Sequence, residues 1–360
     1  MKRRRFVTAG ATATLLTACG QAKDCATSTG SDSQVKNVIN WTMVTTWPPG
    51  FQGLGTSADY LARLINEMSD GRIKVKVYGA GELVPALQVF DAVSSGSAQM
   101  GHGASYYWKG KLPAASFFSS VPFGLSAQEM NSWLLKGGGL ELWQELYAPY
   151  NVIPMPGGNT DIQMAGWFNK EINSLDDIQG LKMRIPGLGG EVLKRAGGTP
   201  ELIAGGEIFS ALEMGRIDAA EFVGPFNDLA FGFYKAAKYY YYPGWQEPGT
   251  TLEAIINTEA MNKLPADLKA IVKAACLVAN NDMLSEFTLK NSEALKILVN
   301  EHGVILKKLP KDVLDKFQQI SKKLVKDLGQ NNELSKKIYV SYLAFKEHAI
   351  EWREISQSLS

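Results

Sequence analysis

In the stretch Asn173-Ser-Leu-Asp-Asp-Ile-Gln-Gly-Leu-Lys-Met-Arg-Ile-Pro-Gly187, the run Leu181 to Ile185 reads as a short buried strand that carries one permanent charge, Arg184. A guanidinium buried without a partner is strongly unfavourable, so something anionic must meet it. No acidic residue lies within three positions on either side, and the anion therefore comes from elsewhere. A planar fork of donors suits a carboxylate held through both oxygens, which points to an organic acid as ligand. A structural ion pair with a distant Asp or Glu is the plain alternative, and on this segment alone the two readings stand level.

Working outward, this strand sits in the second of two alternations of strand and helix patterns. In the first, Trp41–Thr46, Ile73–Tyr78 and Gln99–Gly103 read as strands. Leu61, Leu64, Ile65 and Met68 share one helix face between the first two, and Ala86–Val93 reads as a helix before the third. In the second, Gln163–Asn169, Lys182–Ile185 and Ala219–Val223 read as strands, with helices at Glu191–Ala196 and Ile208–Met214. The pattern predicts an α/β fold with mainly parallel sheets and helices on both faces. After the extended segment Leu252–Asn257, helical patterns dominate, with breaks near Gly303, Pro310 and Gly329. Crossovers near residues 157 and 247 predict a two-lobe clamp with residues 39–157 plus 247–360 in lobe I and 158–246 in lobe II. A ligand in such a clamp lies in the interlobe cleft and is buried by hinge closure. The face Ile338, Tyr342, Phe345 and Ala349 packs on its own domain or on a second copy in a homodimer; the sequence leaves both open.

The N-terminus predicts export. Met1-Lys-Arg-Arg-Arg-Phe6 is a basic start, Val7–Ala18 is an apolar segment too short to span a bilayer, and Leu16-Thr17-Ala18-Cys19 matches a bacterial lipobox. Residues 1–18 are expected to be a removed signal, routed by the twin-arginine or the Sec pathway, with Cys19 lipidated and residues 19–38 a polar tether. That places the domain outside the cytoplasm, anchored to a membrane by lipid. Of the remaining cysteines, Cys25 lies in the tether and Cys276 in an apolar run, so a disulfide framework is not indicated. A formal net charge of +1 supplies no basic field and argues against a nucleic-acid partner.

Several segments together resemble one family. The stretch around Arg184, and Gly206-Glu-Ile-Phe-Ser-Ala-Leu-Glu-Met-Gly-Arg-Ile-Asp-Ala-Ala220, are similar to the substrate-arginine segment and the following helix–strand segment of solute-binding proteins of tripartite ATP-independent periplasmic (TRAP) transporters. Gly79-Ala-Gly-Glu-Leu-Val-Pro85, Val121-Pro-Phe-Gly-Leu125, Gln163-Met-Ala-Gly-Trp-Phe168 and Tyr239-Tyr-Tyr-Tyr-Pro-Gly-Trp245 resemble the branch that binds 2-oxo acids or lactate with a metal ion. The resemblance implies that Arg184 clamps the substrate carboxylate. It implies that Gln163, Glu221 and the backbone carbonyl of Phe222 hold a sodium or calcium ion, and that TRAP membrane subunits receive the ligand. The branch commonly has Trp where this chain has Phe222. Tyr106 or Tyr107, Glu247 and Asn159 fall in segments that line the cleft.

The residue types suit that task, since sodium and calcium prefer oxygen donors and a 2-oxo acid can chelate through two oxygens. Each also has a structural reading: Glu221 as the partner of Arg184, Gln163 satisfying a backbone group, and Tyr239–Tyr242 packed in a sheet. Catalysis is poorly supported. His102, His302 and His348 are in no metal-ligand spacing, and there is no nucleophile elbow, phosphate loop or dinucleotide fingerprint. The reading is a non-enzymatic binding protein for a small monocarboxylate. Dicarboxylates or sugar acids are the alternative ligands, and an exported metal-dependent enzyme or a receptor's sensory module the alternative roles.

Overall fold

The computed structural model describes residues 38–356; the expected signal, Cys19 and the tether up to residue 37 lie outside them. The strands are β1 (Ile39–Thr45), β2 (Ile73–Tyr78), β3 (Met100–Gly103), β4 (Val152–Asn159) and β5 (Gly166–Phe168). They continue as β6 (Lys182–Arg184), β7 (Thr199–Glu201), β8 (Ala219–Ala220), β9 (Tyr239–Tyr242), β10 (Thr251–Asn257) and β11 (Ile305–Lys308). One sheet has the order β2-β1-β3-β10-β4 and the other β11-β9-β5-β8-β6-β7.

Strand β1 is covered on both faces, with Trp41 and Met43 in one apolar core and Val44 in another. Helix Leu54–Met68 lays Leu61, Ala62 and Ile65 on the first of these, and helix Val89–Ser94 lays Val89, Phe90 and Val93 on the second. This is the two-sided cover that the strand–helix alternation predicts. Both sheets are mixed, however, which corrects the expectation of mainly parallel ones. Strand β10 runs antiparallel to β3 and β4, and β5 antiparallel to β8 and β9, because each crossover returns the chain in the opposite sense. Strand β4 was not foreseen, since Pro154 and Pro156 interrupt its sequence. It is an edge strand, where a missing backbone donor is tolerated.

A second correction concerns the partition of the chain. Residues 305–308 fall in the stretch assigned to lobe I, yet β11 pairs with β9 at the edge of the lobe II sheet. The preceding helix, Ala266–Asn300, carries the chain across. Its Leu268, Val272, Ala275, Cys276 and Ala279 pack in the lobe I core, while Met283, Phe287 and Leu298 pack in a cluster shared by both lobes, with Trp47 and Leu252 of lobe I and Trp167 and Phe233 of lobe II. Cys276 is a buried, free thiol pushed up to about 12 by loss of solvent, as suits a small apolar filler. No helix among the described residues is long and apolar enough to cross a membrane.

The C-terminal helix, Glu333–Ser356, covers its own chain. Ile338 and Tyr342 are buried, Phe345 and Ala349 pack beside them, and the Tyr342 hydroxyl accepts the Leu125 N–H at 3.1 Å. Packing on its own domain, one of the two arrangements the sequence leaves open, is thus present. Tyr239–Tyr242 also take the structural role: Tyr240 stacks on Trp167 at 4.1 Å between ring centres, and the Tyr241 hydroxyl accepts the Ile172 N–H at 2.8 Å.

Candidate functional site

Arg184 ends β6, and Glu221 follows the end of the parallel neighbour β8; the Glu221 N–H donates to the Arg184 carbonyl at 3.0 Å. Both side chains thus emerge at the carboxyl ends of parallel strands, where α/β sheets usually bind ligands. Both are completely buried. Arg184 Nη1 donates to the Glu221 carboxylate at 2.6 Å and to its carbonyl at 2.7 Å, and Nε donates to the Ile203 carbonyl at 3.2 Å. The internal ion pair that stood as the plain alternative is therefore present. It does not exhaust the guanidinium, because Nη2 has no hydrogen-bond partner. The Phe222 ring lies against the guanidinium, 5.4 Å from its centre.

Two crossing segments bring the next residues in. Gln163 N–H donates to the Glu247 carbonyl at 3.1 Å, and Thr160 N–H to the Thr250 carbonyl at 3.0 Å. These bonds draw Gln163 out of strand β5, which begins at Gly166 instead of at residue 163 as expected. A side chain at Gly244 could not be accommodated, since its Cβ would sit 1.9 Å from the Gln163 carbonyl oxygen. The Gln163 amide nitrogen donates to Thr160 and Thr250, at 3.2 and 3.3 Å, which leaves its buried oxygen Oε1 without a donor. Glu247 accepts from Thr250 Oγ1 at 2.6 Å and interacts with Tyr106, while Tyr107 faces the guanidinium of Arg184.

Gln246 is the residue that sequence reasoning missed. It is buried, its amide nitrogen donates to the Met164 carbonyl at 2.8 Å and lies 3.5 Å from Glu221 Oε2, and its oxygen is unmatched. A glutamine beside the expected Glu247 carries no signal of its own; only the crossing of the two segments buries it. Asn159, by contrast, is occupied: its oxygen accepts the Asp161 N–H at 2.8 Å and its nitrogen donates to Thr251 Oγ1 at 3.3 Å. It braces the crossover.

Electrostatically, one guanidinium serves two buried acids. Burial pushes Glu247 up to about 7, with Arg184 and the Thr250 hydroxyl opposing. Burial first, and then the nearby Glu247, also push Glu221 upward against the pull of Arg184. The unmatched groups are one donor on Arg184 and two amide oxygens, on Gln163 and Gln246. Amide and carboxylate oxygens are the donor types a hard cation prefers. Among the described residues no group of three or more His, Cys, Asp or Glu side chains could hold a metal ion. His102 is buried in lobe I between Trp47 Nε1, at 2.8 Å, and the Gly157 carbonyl, at 3.1 Å, and burial lowers it to about 4.

The lobes touch around this cluster. A cleft of about 640 Å³ runs between Thr46, Pro48 and Leu83 of lobe I and Leu202, Ile203 and Arg216 of lobe II. A cavity of about 380 Å³ lies between Tyr106 and Lys109 on one side and Pro186, Glu191 and Glu201 on the other. Ile203, bonded to Arg184, lines the first, and Tyr106 the second.

Residues 43–332 match the DctP family, described as bacterial extracellular solute-binding protein, family 7. A monocarboxylate 2-oxoacid-binding periplasmic protein of Nostoc sp. (strain PCC 7120) is 43% identical over 99% of this chain and 97% of its own. A TRAP periplasmic solute-binding protein of Pseudoalteromonas atlantica T6c, solved with sodium and pyruvate, is 42% identical with a TM-score of 0.87. The match covers 89% of this chain and 98% of that one. One from Colwellia psychrerythraea, solved with calcium and pyruvate, is 41% identical with a TM-score of 0.86 over the same shares. The chain belongs to the DctP family of bacterial extracellular solute-binding proteins.

Proposed function

We propose that this protein captures a small 2-oxo or 2-hydroxy monocarboxylate together with a sodium or calcium ion and delivers it to the membrane subunits of a TRAP transporter. One observation carries the reading: a buried Arg184–Glu221 pair that keeps an unmatched guanidinium nitrogen, in a cluster with two unmatched amide oxygens. Burying polar atoms without partners is unfavourable, and a ligand that supplies both an acceptor and a cation relieves all three at once.

The charges point the same way. An incoming carboxylate would be a third acid beside Glu221 and Glu247, against Arg184 alone. A cation restores the balance, which explains why acid and metal would enter together. The relatives from Pseudoalteromonas and Colwellia, with sodium or calcium beside pyruvate, support this. Gln163 Oε1, the Glu221 carboxylate and the Phe222 carbonyl would hold the ion, with Gln246 Oε1 as a further oxygen. The ion would supply positive charge to the oxygens of the acid. Arg184 would take the other flank of the carboxylate, with Tyr106, Tyr107 and Glu247 closing the lobe I side. Asn159 would brace the crossover beside the site, with its oxygen on the Asp161 N–H and its nitrogen on Thr251.

The role is that of a receptor and not an enzyme, anchored outside the cytoplasm through Cys19; the basic run, short apolar segment and lipobox support that placement. Calorimetry with a panel of short oxo-, hydroxy- and dicarboxylates, each with sodium, calcium or neither, tests the reading. A 2-oxo monocarboxylate is expected to bind in the micromolar range, about −8 kcal/mol, only when the cation is present. Cation-independent binding, or preference for a dicarboxylate, would overturn it.

A further inference from the structure

The 3₁₀ turn Ser105–Trp108 of lobe I carries Tyr106 and Tyr107, and Lys109 follows it directly. The Lys109 ammonium reaches across to lobe II, where it meets Glu191 Oε1 at 2.7 Å and the Gly187 carbonyl at 3.1 Å. Both partners belong to helix Gly187–Arg195, which begins just beyond Arg184. Gly187 has a left-handed backbone, φ +62°, and a Cβ there would stand 3.3 Å from the Tyr106 Cβ, so the start of this helix lies directly against the tyrosine. One lysine therefore fastens the turn that bears both tyrosines to the helix that leaves the arginine. The hydrogen bonds of the Lys109 ammonium go to Glu191 and Gly187, while its backbone N–H donates to the Tyr106 carbonyl at 3.2 Å.

We propose that Lys109 is a positioning residue, an interlobe clasp that fixes how Tyr106 and Tyr107 lie over Arg184 and holds the clamp closed without touching the ligand. The proposal rests on the solute-binding reading above. Because the clasp forms from protein groups alone, it raises the closed fraction of the free protein. Apparent affinity scales with that fraction, so the clasp strengthens every ligand by one common factor. A residue that touched the ligand would instead change the ranking of ligands. Lys109 and Glu191 side chains are 31% and 39% exposed, so solvent screens the pair and the factor is modest and salt-sensitive.

The test compares the full-length protein with Lys109→Met, which keeps the aliphatic stem, using pyruvate with sodium as probe and a second, longer 2-oxo acid as control. Affinity for both is expected to fall by about 3- to 10-fold through faster dissociation, with ranking and cation dependence unchanged. Small-angle scattering of the ligand-free variant is expected to show a larger radius of gyration than that of the parent. Lys109→Glu is expected to weaken binding further, and adding Glu191→Lys to recover part of the loss. Unchanged affinity and scattering in K109M, a loss confined to one of the two acids, or no recovery in the charge-swapped pair would each overturn the clasp. If the parent protein bound no oxo acid, the solute-binding reading would fail instead, and the ligand-free scattering would still judge the clasp.

Discussion

Two regions of this molecule bury a carboxylate completely, and they do so differently. In lobe I, Glu253 on β10 has one oxygen on the Trp108 indole N–H and the other on the Tyr147 hydroxyl at 2.9 Å. In lobe II, Glu221 meets Arg184, and the cluster around them retains Arg184 Nη2, Gln163 Oε1 and Gln246 Oε1 without partners. Burial displaces both acids upward, Glu253 to about 7. A buried charge is thus no marker of a binding site. What separates the two regions is the partner: Glu253 is met by neutral donors alone, whereas Glu221 faces a guanidinium that keeps one nitrogen unmatched.

The largest expected effect comes from removing the guanidinium. Arg184→Met should cost on the order of 2–5 kcal/mol of binding and leave Glu221 buried without a charge partner, lowering thermal stability as well. Calorimetry that returned near-parental affinity would erase the contrast between the two regions. Next, Gln163→Leu keeps the bulk and deletes the orphaned oxygen; the affinity of the cation-linked complex should drop by roughly 10- to 100-fold. A drop that ignored the presence of sodium or calcium would place Gln163 away from the ion.

On the lobe I side, Glu253→Gln should leave ligand affinity within about 2-fold and change the pH dependence of folding. The folded-state value of Glu253, about 7, exceeds that of an exposed carboxyl. Its contribution is therefore fully present below the unfolded value and is lost as pH rises through about 7. Urea titrations at acid and mildly alkaline pH should show the variant's slope flattened by on the order of 1–3 kcal/mol relative to the parent. An identical slope would mean that Glu253 stays ionised throughout. The smallest effect is expected at the crossover, where Asn159→Ala should cost about 1 kcal/mol of stability and little affinity. A selective loss of ligand binding would return Asn159 to the site.

Much of the fold was legible because burial imposes periodicity. Ile73–Tyr78 appears as the strand expected, and the helix face Leu61–Ile65 packs on the core it implies. Strand β4 was hidden by its two prolines, and β11 by lying between a break at Gly303 and Pro310 in a region of helical pattern. Within the cluster, Arg184, Glu221, Gln163, Tyr106 and Glu247 come together. Each could be named in advance because its segment resembles a family with a known site. Gln246 could not, since an unmatched amide oxygen depends on which neighbours fail to reach it.

The amino-acid sequence by itself determined that a guanidinium would sit in a buried strand with no local acid, and that two strand–helix runs would build two lobes. Local spacing and hydropathy suffice for that, because they dictate which faces leave water. Only the tertiary structure decided that Glu221 answers Arg184, that Asn159 braces the crossover, and that Lys109 meets Glu191. Those outcomes depend on which distant side chains meet in three dimensions, and hydrogen bonds are satisfied at contact distance, not along the chain.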